Sequence, residues 1–377
     1  MKVAVFFGGD SPESDISVIT ALQAMAELKG RVGLLPVYIK NGSFLTVKEP
    51  TADKFADFKK SRFKKLVLHE GVFYRSRRTA GLWRFRPDAA LICCHGGLGE
   101  NGGLQGMLEL NGIPYTSAGI TASAIGMNKI VQKEIFSALM LPVTDYLQID
   151  RDEFLNDEDK IVMHVQTFLE YPVIVKPCSS GSSIGIDVAK NESELKKAVS
   201  IACEYDETVI VERALTDFVE LNCAAVSAGD SITVSQIEKP LNWKDFLTFE
   251  NKYGTGGKMS GAGRELPAEI PEELAEEIRF LTIKIYKELK MKGVVRTDYL
   301  YDRKENKLYV NEINTVPGSL AYYLFDGLGI SFYELLKIMF DGALKAYRSD
   351  CMDKKVFSTS VLGNFGRGGL KSGCKRR

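Results

Sequence analysis

Arg296, Asp298, Glu312 and Asn314 fall within twenty-odd residues of one another, in GVVRTDYLYDRKENKLYVNEINTVPG at 293–318. Their types and spacing suit phosphoryl chemistry. The stretch reads as two strands, 294–301 and 307–313, joined by a polar turn at 302–306. Period-two alternation puts Arg296 and Asp298 on one face of the first strand, and Glu312 and Asn314 on one face of the second. Folding about residue 305 brings Asp298 opposite, or nearly opposite, Glu312, with side chains about 5 Å apart. Like charges so placed are unfavourable unless something positive lies between them. An Asp, a Glu and an Asn together offer the hard oxygens that Mg²⁺ or Mn²⁺ prefer, usually shared with a substrate phosphate. An isolated D-x13-E-x-N would read as a solvated hairpin, so the rest of the chain has to decide.

Phosphate-binding features do appear elsewhere. A strand over 171–176 ends in Lys176, is stopped by Pro177 and opens into Ser179-Ser180-Gly181-Ser182-Ser183, with Gly185 completing the loop. The N–H and O–H groups of such a loop can wrap phosphates; the order of a Walker A motif is absent. A second glycine-rich segment, HGGLGENGGLQG, follows a buried strand at 89–94 and leads to a helix starting near Leu104, whose N-terminus can face an anion. His95 stands at that strand's C-terminal end, where ligands bind in α/β sheets. It is the functional candidate among three histidines; His69 and His164 read as surface residues. The stretch 248–265 holds five glycines and few apolar groups, a composition that suits a lid.

The elements that must position these residues form an ordinary α/β chain. With 377 residues, 45% hydrophobic and 26% charged, it has room for two or three domains with real cores. A formal net charge of zero gives no global field toward nucleic acid or an acidic membrane surface. The basic run at 59–86, interleaved with Phe63, Phe73, Tyr74 and Trp83, reads as a solvated hairpin with anchoring aromatics rather than a nucleic-acid patch. Seven cysteines without metal-ligand spacing read as buried thiols in a reducing cytosol. The opening apolar run is too short for a signal peptide and no run approaches a membrane span, so a cytoplasmic location is expected. Further strands are expected at 2–7, 34–39, 42–47, 143–149, 207–212 and 218–226, and helices at 16–28, 121–139, 271–290 and 331–345, with an acidic helical stretch at 150–171. The resulting division is 1–120 with an open sheet, 121–205 with the phosphate loop, 206–350 with the metal hairpin and lid, and a basic tail at 351–377. A strand–Gly–Gly–helix opening hints at a dinucleotide enzyme, but the GxGxxG fingerprint is missing and that reading ranks last.

Seven segments, in order and spanning nearly all of 1–345, resemble the D-alanine–D-alanine ligase family of the ATP-grasp superfamily. They are FFGGDSPESDIS, HGGLGENGGLQGMLELNGIPY, MNK, PVIVKPCSSGSSIGI, ERAL with FVELN, ENKY, and VRTDYLYD with LYVNEINTVPG. The resemblance implies a three-lobed ATP-grasp architecture with an N-terminal Rossmann-like domain, ATP lying between the last two lobes. It implies ATP-dependent ligation of two D-alanines through an acylphosphate, supplying peptidoglycan precursors, with two Mg²⁺ or Mn²⁺ ions and a homodimer. By the same resemblance Asp298, Glu312 and Asn314 hold metal. Lys129 and Lys176 contact phosphates beneath Ser179, Ser180, Gly181 and Ser183, and Lys252 belongs to the ATP site. Glu212 and Leu215 line the adenine slot, and Glu220 takes the ribose hydroxyls. Glu13 holds the first substrate's ammonium and bonds with Ser182 and Tyr253; Arg296 and the Gly318 N–H form an oxyanion hole. His95 and Tyr323 complete the substrate side.

The chain departs from the family pattern at Asn101 and Asn128, where Asp is usual, and at Tyr323, five residues past Gly318, where a Ser usually helps Arg bind the second substrate's carboxylate. The second substrate is therefore open between D-Ala and another small amino acid such as D-Ser. Retention of Lys252-Tyr253 implies an amino-acid nucleophile rather than a hydroxy acid. A non-catalytic nucleotide binder is the remaining rival, and it would have no use for Arg296.

Overall fold

The computed structural model describes residues 1–75, 83–181, 184–229, 231–241 and 263–353. These residues form three sheets. The first is built on β1 (Lys2–Gly8), whose VAVFF run is buried on both faces, as a central parallel strand must be. Parallel neighbours β2 (Gly33–Lys40) and β7 (Ala89–Ile92) flank it. From β2 the sheet continues antiparallel through β3 (Ser43–Thr46), β4 (Lys64–His69), β5 (Val72–Arg75) and β6 (Arg84–Phe85). Within the described part of the basic run, β4 and β5 form the hairpin expected of it, with Phe73 fully buried and Arg75 stacked on Trp83. Gly8 ends β1 at a positive φ of 85°, and a β-carbon there would collide with Tyr38 and Ile39. Glycine is required for that turn.

The second sheet, in order β10 (Asp187–Ala189), β9 (Val173–Pro177), β11 (Thr208–Arg213), β8 (Tyr146–Asp150), is antiparallel throughout. The strand Thr208–Arg213, grouped by sequence with the C-terminal lobe, hydrogen-bonds here. The helices Arg151–Asn156, Glu158–Phe168 and Glu192–Cys203 share this sheet's core. The sequence reading had no element at 192–203, although Asn191 caps that helix on the Glu194 N–H and Leu195, Ala198, Val199 and Ala202 form a helical apolar stripe.

The third sheet runs β14 (Arg264–Glu265), β13 (Ser231–Pro240), β12 (Phe218–Ala228), β15 (Val295–Asp302), β16 (Lys307–Asn314). It too is antiparallel. Leu221, Cys223, Ala225, Val295, Tyr299, Leu308, Val310 and Ile313 turn to one face and pack with the helix Glu272–Glu288. The alternate residues face the other way, and that face carries the site. Strand β13 was also missed from sequence.

The helix expected over 121–139 is two helices, Ile120–Met127 and Lys129–Ala138. Asn128 leaves the helical region (φ −114°, ψ 106°) and its side chain accepts from the Val131 N–H, so it caps the second helix. Lys129 consequently stands at a helix start instead of mid-helix. The last helix, Phe332–Asp353, returns to the first sheet, where Leu335, Leu336, Met339 and Phe340 join its core.

Candidate active site

The polar face of the third sheet holds a cross-strand row. Glu238 on β13 pairs with Asn222 on β12, Asn222 with Asp298 on β15, and Asp298 with Glu312 on β16. A β-bulge makes the last pairing. The hairpin pairs Asp302 with Lys307 and Tyr299 with Val310, a register that would set Asp298 against Asn311. The irregularity after Asp298 restores Glu312 as its partner.

The two facing carboxylates have cations of their own. Arg296 donates through Nε and Nη2 to the two Asp298 oxygens at 2.6 and 2.7 Å, and the Asn314 amide donates to Asp298 Oδ2 at 2.9 Å. Lys129 Nζ lies 3.8 Å from Glu312. Among the described residues no group of three or more His, Cys, Asp or Glu is arranged to hold a metal. The set here is two carboxylates and an amide oxygen on facing strands at the wall of a cleft, and its donor chemistry fits a hard divalent cation.

Across the cleft, three charges are buried together. Glu212 accepts from Lys176 at 3.0 Å through one oxygen and from Lys133 at 2.9 Å through the other; Thr144 adds a hydrogen bond at 2.9 Å. Burial disfavours the Glu212 anion, but the two lysines override it and hold its pKa down at about 2. The same burial lowers the pKa of Lys133, against the pull of Glu212. Lys133 was missed from sequence. Its signal was a lysine between Ile130 and Phe136 at i+3 spacing, on an apolar helix face. Lys176 also reaches Asn311 at 3.5 Å, which ties the second sheet to the bulge of the third.

The phosphate loop sits above. The Lys129 ammonium donates to the Ser180 carbonyl at 2.7 Å, and the Ser179 N–H donates to Asp206 at 2.6 Å. Gly181 lies so close to Glu13 that a β-carbon there would stand 2.7 Å from its carboxylate. The loop and the N-terminal lobe therefore meet at Glu13. That residue occupies the N-cap position of the helix Ser14–Leu28, but its side chain does not cap the helix.

His95 is buried, with Nδ1 2.7 Å from the Val316 carbonyl and Nε2 2.9 Å from Thr20 Oγ1. Burial lowers its pKa to about 4, so the ring is neutral near pH 7. Beside it the buried Glu100 accepts from the N–H groups of Gly96 and Val316 and from the Thr315 hydroxyl. Burial outweighs those donors and raises its pKa to about 7. These two side chains bind the first sheet to the loop that follows β16. Glu100 was not legible as a site residue.

The chain matches two family models, described as D-ala D-ala ligase N-terminus over residues 2–118 and D-ala D-ala ligase C-terminus over 135–341. It is 35% identical to the D-alanine–D-alanine ligase of Thermosipho africanus, over 94% of this chain and 95% of that one. The chain belongs to the D-alanine–D-alanine ligase family. Its fold is that of the solved ligase from Coxiella burnetii, with a TM-score of 0.78 at 22% identity, covering 97% of this chain and 98% of that one. The VanG D-Ala:D-Ser ligase from Enterococcus faecalis is also similar, with a TM-score of 0.74 at 27% identity, covering 92% and 99%. The expected three-lobed ATP-grasp architecture is the one found.

Of the residues that the family resemblance singled out, one cleft of about 290 Å³ collects fifteen: Glu13, His95, Lys129, Lys176, Ser180, Gly181, Glu212, Leu215, Glu220, Arg296, Asp298, Glu312, Asn314, Gly318 and Tyr323. Ser179 does not line it. Ser182, Ser183, Lys252 and Tyr253, with most of the expected lid, lie outside the described residues. Two residues sit in unexpected company. The Glu212 carboxylate is spent on two lysines, and the Tyr323 hydroxyl donates to Glu238 at 3.1 Å.

Proposed function

We propose that the chain joins two D-alanines to D-alanyl-D-alanine at the expense of ATP, a step in making peptidoglycan precursors. One observation carries this reading. The facing Asp298 and Glu312, with Asn314, stand in the same cleft as Lys129, Lys176 and the Ser180-Gly181 backbone, and Arg296 opens onto the same space. A binder of nucleotide alone needs no guanidinium there.

ATP takes its place between the second and third sheets, its adenine along Glu212 and Leu215 and its ribose on Glu220, with Lys252 also serving the nucleotide. Lys129 and Lys176 face its phosphates under Ser179–Ser183. Asp298, Glu312 and Asn314 hold Mg²⁺ or Mn²⁺, two ions by resemblance, and bound divalent cations supply positive charge to the triphosphate. Glu13, with Ser182 and Tyr253, receives the first D-alanine's ammonium beside His95. That substrate's carboxylate oxygen attacks the γ-phosphorus, the bridging P–O bond to ADP breaks, and an acylphosphate forms. The second D-alanine's nitrogen then attacks the acyl carbon. The C–O bond to phosphate breaks, and of the two protons lost by the ammonium one ends on phosphate and one in water. Arg296 and the Gly318 N–H donate to the oxyanion between those events; such donors act through pre-set orientation in a site shielded from water. The Asp298 carboxylate holds the guanidinium in that orientation through two hydrogen bonds.

No helix among the described residues is long and apolar enough to cross a membrane. A cytoplasmic homodimer free of nucleic acid completes the proposal. The test is ADP release with D-alanine as sole amino acid, with the dipeptide identified by mass spectrometry. Turnover with D-alanine alone is expected, with Glu312→Gln slow and needing more Mg²⁺ for half-maximal rate. Turnover only with a mixed pair of acids would move the function to another ligation, and full-speed ligation by Glu312→Gln would remove the metal-holding role.

A further inference from the structure

Gly318 follows Pro317 in the loop after β16, and both line the cleft. No protein atom lies within 4 Å of where a β-carbon at Gly318 would stand, so that side of the loop is clear of protein. The next three residues, Ser319, Leu320 and Ala321, are buried, and each takes left-handed backbone angles, with φ of 52°, 52° and 49°. A residue with a β-carbon is strained there, because that carbon crowds the following carbonyl oxygen. Such a run persists only where its surroundings over-determine it. What holds it comes from the N-terminal lobe. The Ser319 N–H donates to Thr20 Oγ1 at 3.0 Å, and Thr20, on the helix Ser14–Leu28, is fully buried. A carbonyl only accepts, so the Val316 carbonyl fixes the His95 proton on Nδ1 and leaves Nε2 to accept from the Thr20 hydroxyl. Thr20 and His95 thus grip the main chain at Ser319 and at Val316, on either side of Pro317-Gly318. Inside this bracket the Leu320 N–H donates to the Pro317 carbonyl at 2.8 Å. That carbonyl and the Gly318 N–H belong to one trans peptide plane and point opposite ways. With the carbonyl turned to buried Leu320, the Gly318 N–H is turned away from it.

We propose that Thr20 is a positioning residue of the oxyanion hole: with His95 it keeps the Ser319–Ala321 run left-handed and so holds the Gly318 N–H toward the cleft. The inference rests on the ligase reading, in which that N–H and Arg296 receive the oxyanion. Without the Thr20 hydroxyl, the Ser319 N–H and His95 Nε2 both lose their partner, and the run after Gly318 relaxes toward right-handed angles. That turns the Pro317–Gly318 peptide and takes its N–H off the oxyanion. Thr20 itself does not line the cleft, so its effect on rate passes through the loop.

Thr20→Val keeps the side chain's shape and removes the hydroxyl, whereas Thr20→Ser keeps the hydroxyl. With ATP and D-alanine saturating, Thr20→Val is expected to lower kcat by about tenfold or more, the scale set by displacing one such donor. The KM for each substrate should stay within a few-fold of wild type, and Thr20→Ser should recover most of the rate. Rapid-quench single turnovers separate positioning from general damage, because their rate constants belong to the folded molecules whatever fraction is folded. The oxyanion develops when the amine attacks the acyl carbon, not when the carboxylate attacks phosphorus. In Thr20→Val, dipeptide formation should therefore slow by the same factor as kcat while ADP formation stays within a few-fold of wild type. A Thr20→Val kcat within twofold of wild type, an equal loss in Thr20→Ser, or equal slowing of ADP and dipeptide overturns the inference while wild-type turnover keeps the ligase reading. Failure of the wild type to make dipeptide from D-alanine overturns both.

Discussion

The charges at the phosphate end of the cleft and those at the far end of the third sheet's polar row are held on different physical terms. At the phosphate end, Glu212 and Lys133 are almost wholly buried and Lys176 nearly so, and they are paired before any ligand arrives. At the other end of the third sheet's polar row, behind Tyr323, Glu238 is buried, but Arg264 beside it is a third exposed and loosely held. Buried charges constrain one another because each loses water and must be repaid by its neighbours; a half-exposed guanidinium has water to fall back on. The phosphate end is therefore held by its own charges, and the Glu238–Arg264 pair is the more adaptable of the two.

The sharpest way to break this contrast is to neutralise one carboxylate at each end. Glu212→Gln leaves two buried ammonium groups facing each other and is expected to destabilise the fold by about 3–5 kcal/mol. Glu238→Gln is expected to cost about 1 kcal/mol or less, since Arg264 can turn to solvent. Urea unfolding of both variants measures the difference, and equal costs would mean that the two ends are not built differently. Between the ends stands Arg296. Its replacement by Ala should lower ligation by about 10²–10³-fold in kcat, the usual loss for one oxyanion donor, with the ATP KM changed by only a few-fold. A loss carried by the ATP KM would instead make Arg296 part of the phosphate end.

The seam that joins both ends to the first sheet titrates. Folding raises the Glu100 pKa from 4.5 to about 7, so its stabilising contribution is complete below pH 4.5 and is lost as the pH rises toward 7. His95 runs the other way: its pKa falls from 6.5 to about 4, so its contribution is complete above pH 6.5 and is lost as the pH falls toward 4. The two oppose each other over the shared range. The stability of wild type relative to Glu100→Gln should therefore grow by about 3 kcal/mol, at 1.36 kcal/mol per pH unit, between pH 7 and pH 4.5. A difference flat with pH would mean that Glu100 does not titrate in the folded protein there.

How much of this the sequence carried follows the same divide. Chain order and period-two alternation placed Arg296, Asp298, Glu312 and Asn314 on one face, because a strand's faces are fixed by parity. The pairing of Asp298 with Glu312 was expected from a hairpin folded about residue 305, whereas it arises from a turn half a residue earlier plus a bulge at Asn311. Nothing local announces that bulge; its side chain reaches Lys176 on another sheet, 135 positions away. The Lys133–Glu212 pair is equally a product of packing, with a sequence separation of 79 residues, although a lysine on an apolar helix face was there to be read. Arg264 and Glu238 carried no signal, for β13 itself was not read and a lone arginine after a glycine-rich stretch looks like loop. Local chemistry writes faces and caps into the chain. Register across sheets and charges that meet between lobes are settled by packing.

Asn128 tests the smallest part of the contrast, since one cap positions two lysines of the phosphate end. It breaks the helix expected over 121–139, starts the next helix with its own side chain on the Val131 N–H, and so aims Lys129 at Ser180 and, one turn on, Lys133 at Glu212. Its side-chain oxygen also lies 3.0 Å from the Cys178 sulfur, beside the phosphate loop. Asn128→Ala removes the cap and should cost about 1 kcal/mol of stability, whereas Asn128→Asp, an equally good cap, should cost far less. If the cap also sets the lysines, Asn128→Ala will raise the ATP KM by a few-fold and Asn128→Asp will not. A stability loss without that rise would show the buried Lys133–Glu212–Lys176 group to hold its geometry without help from the helix start.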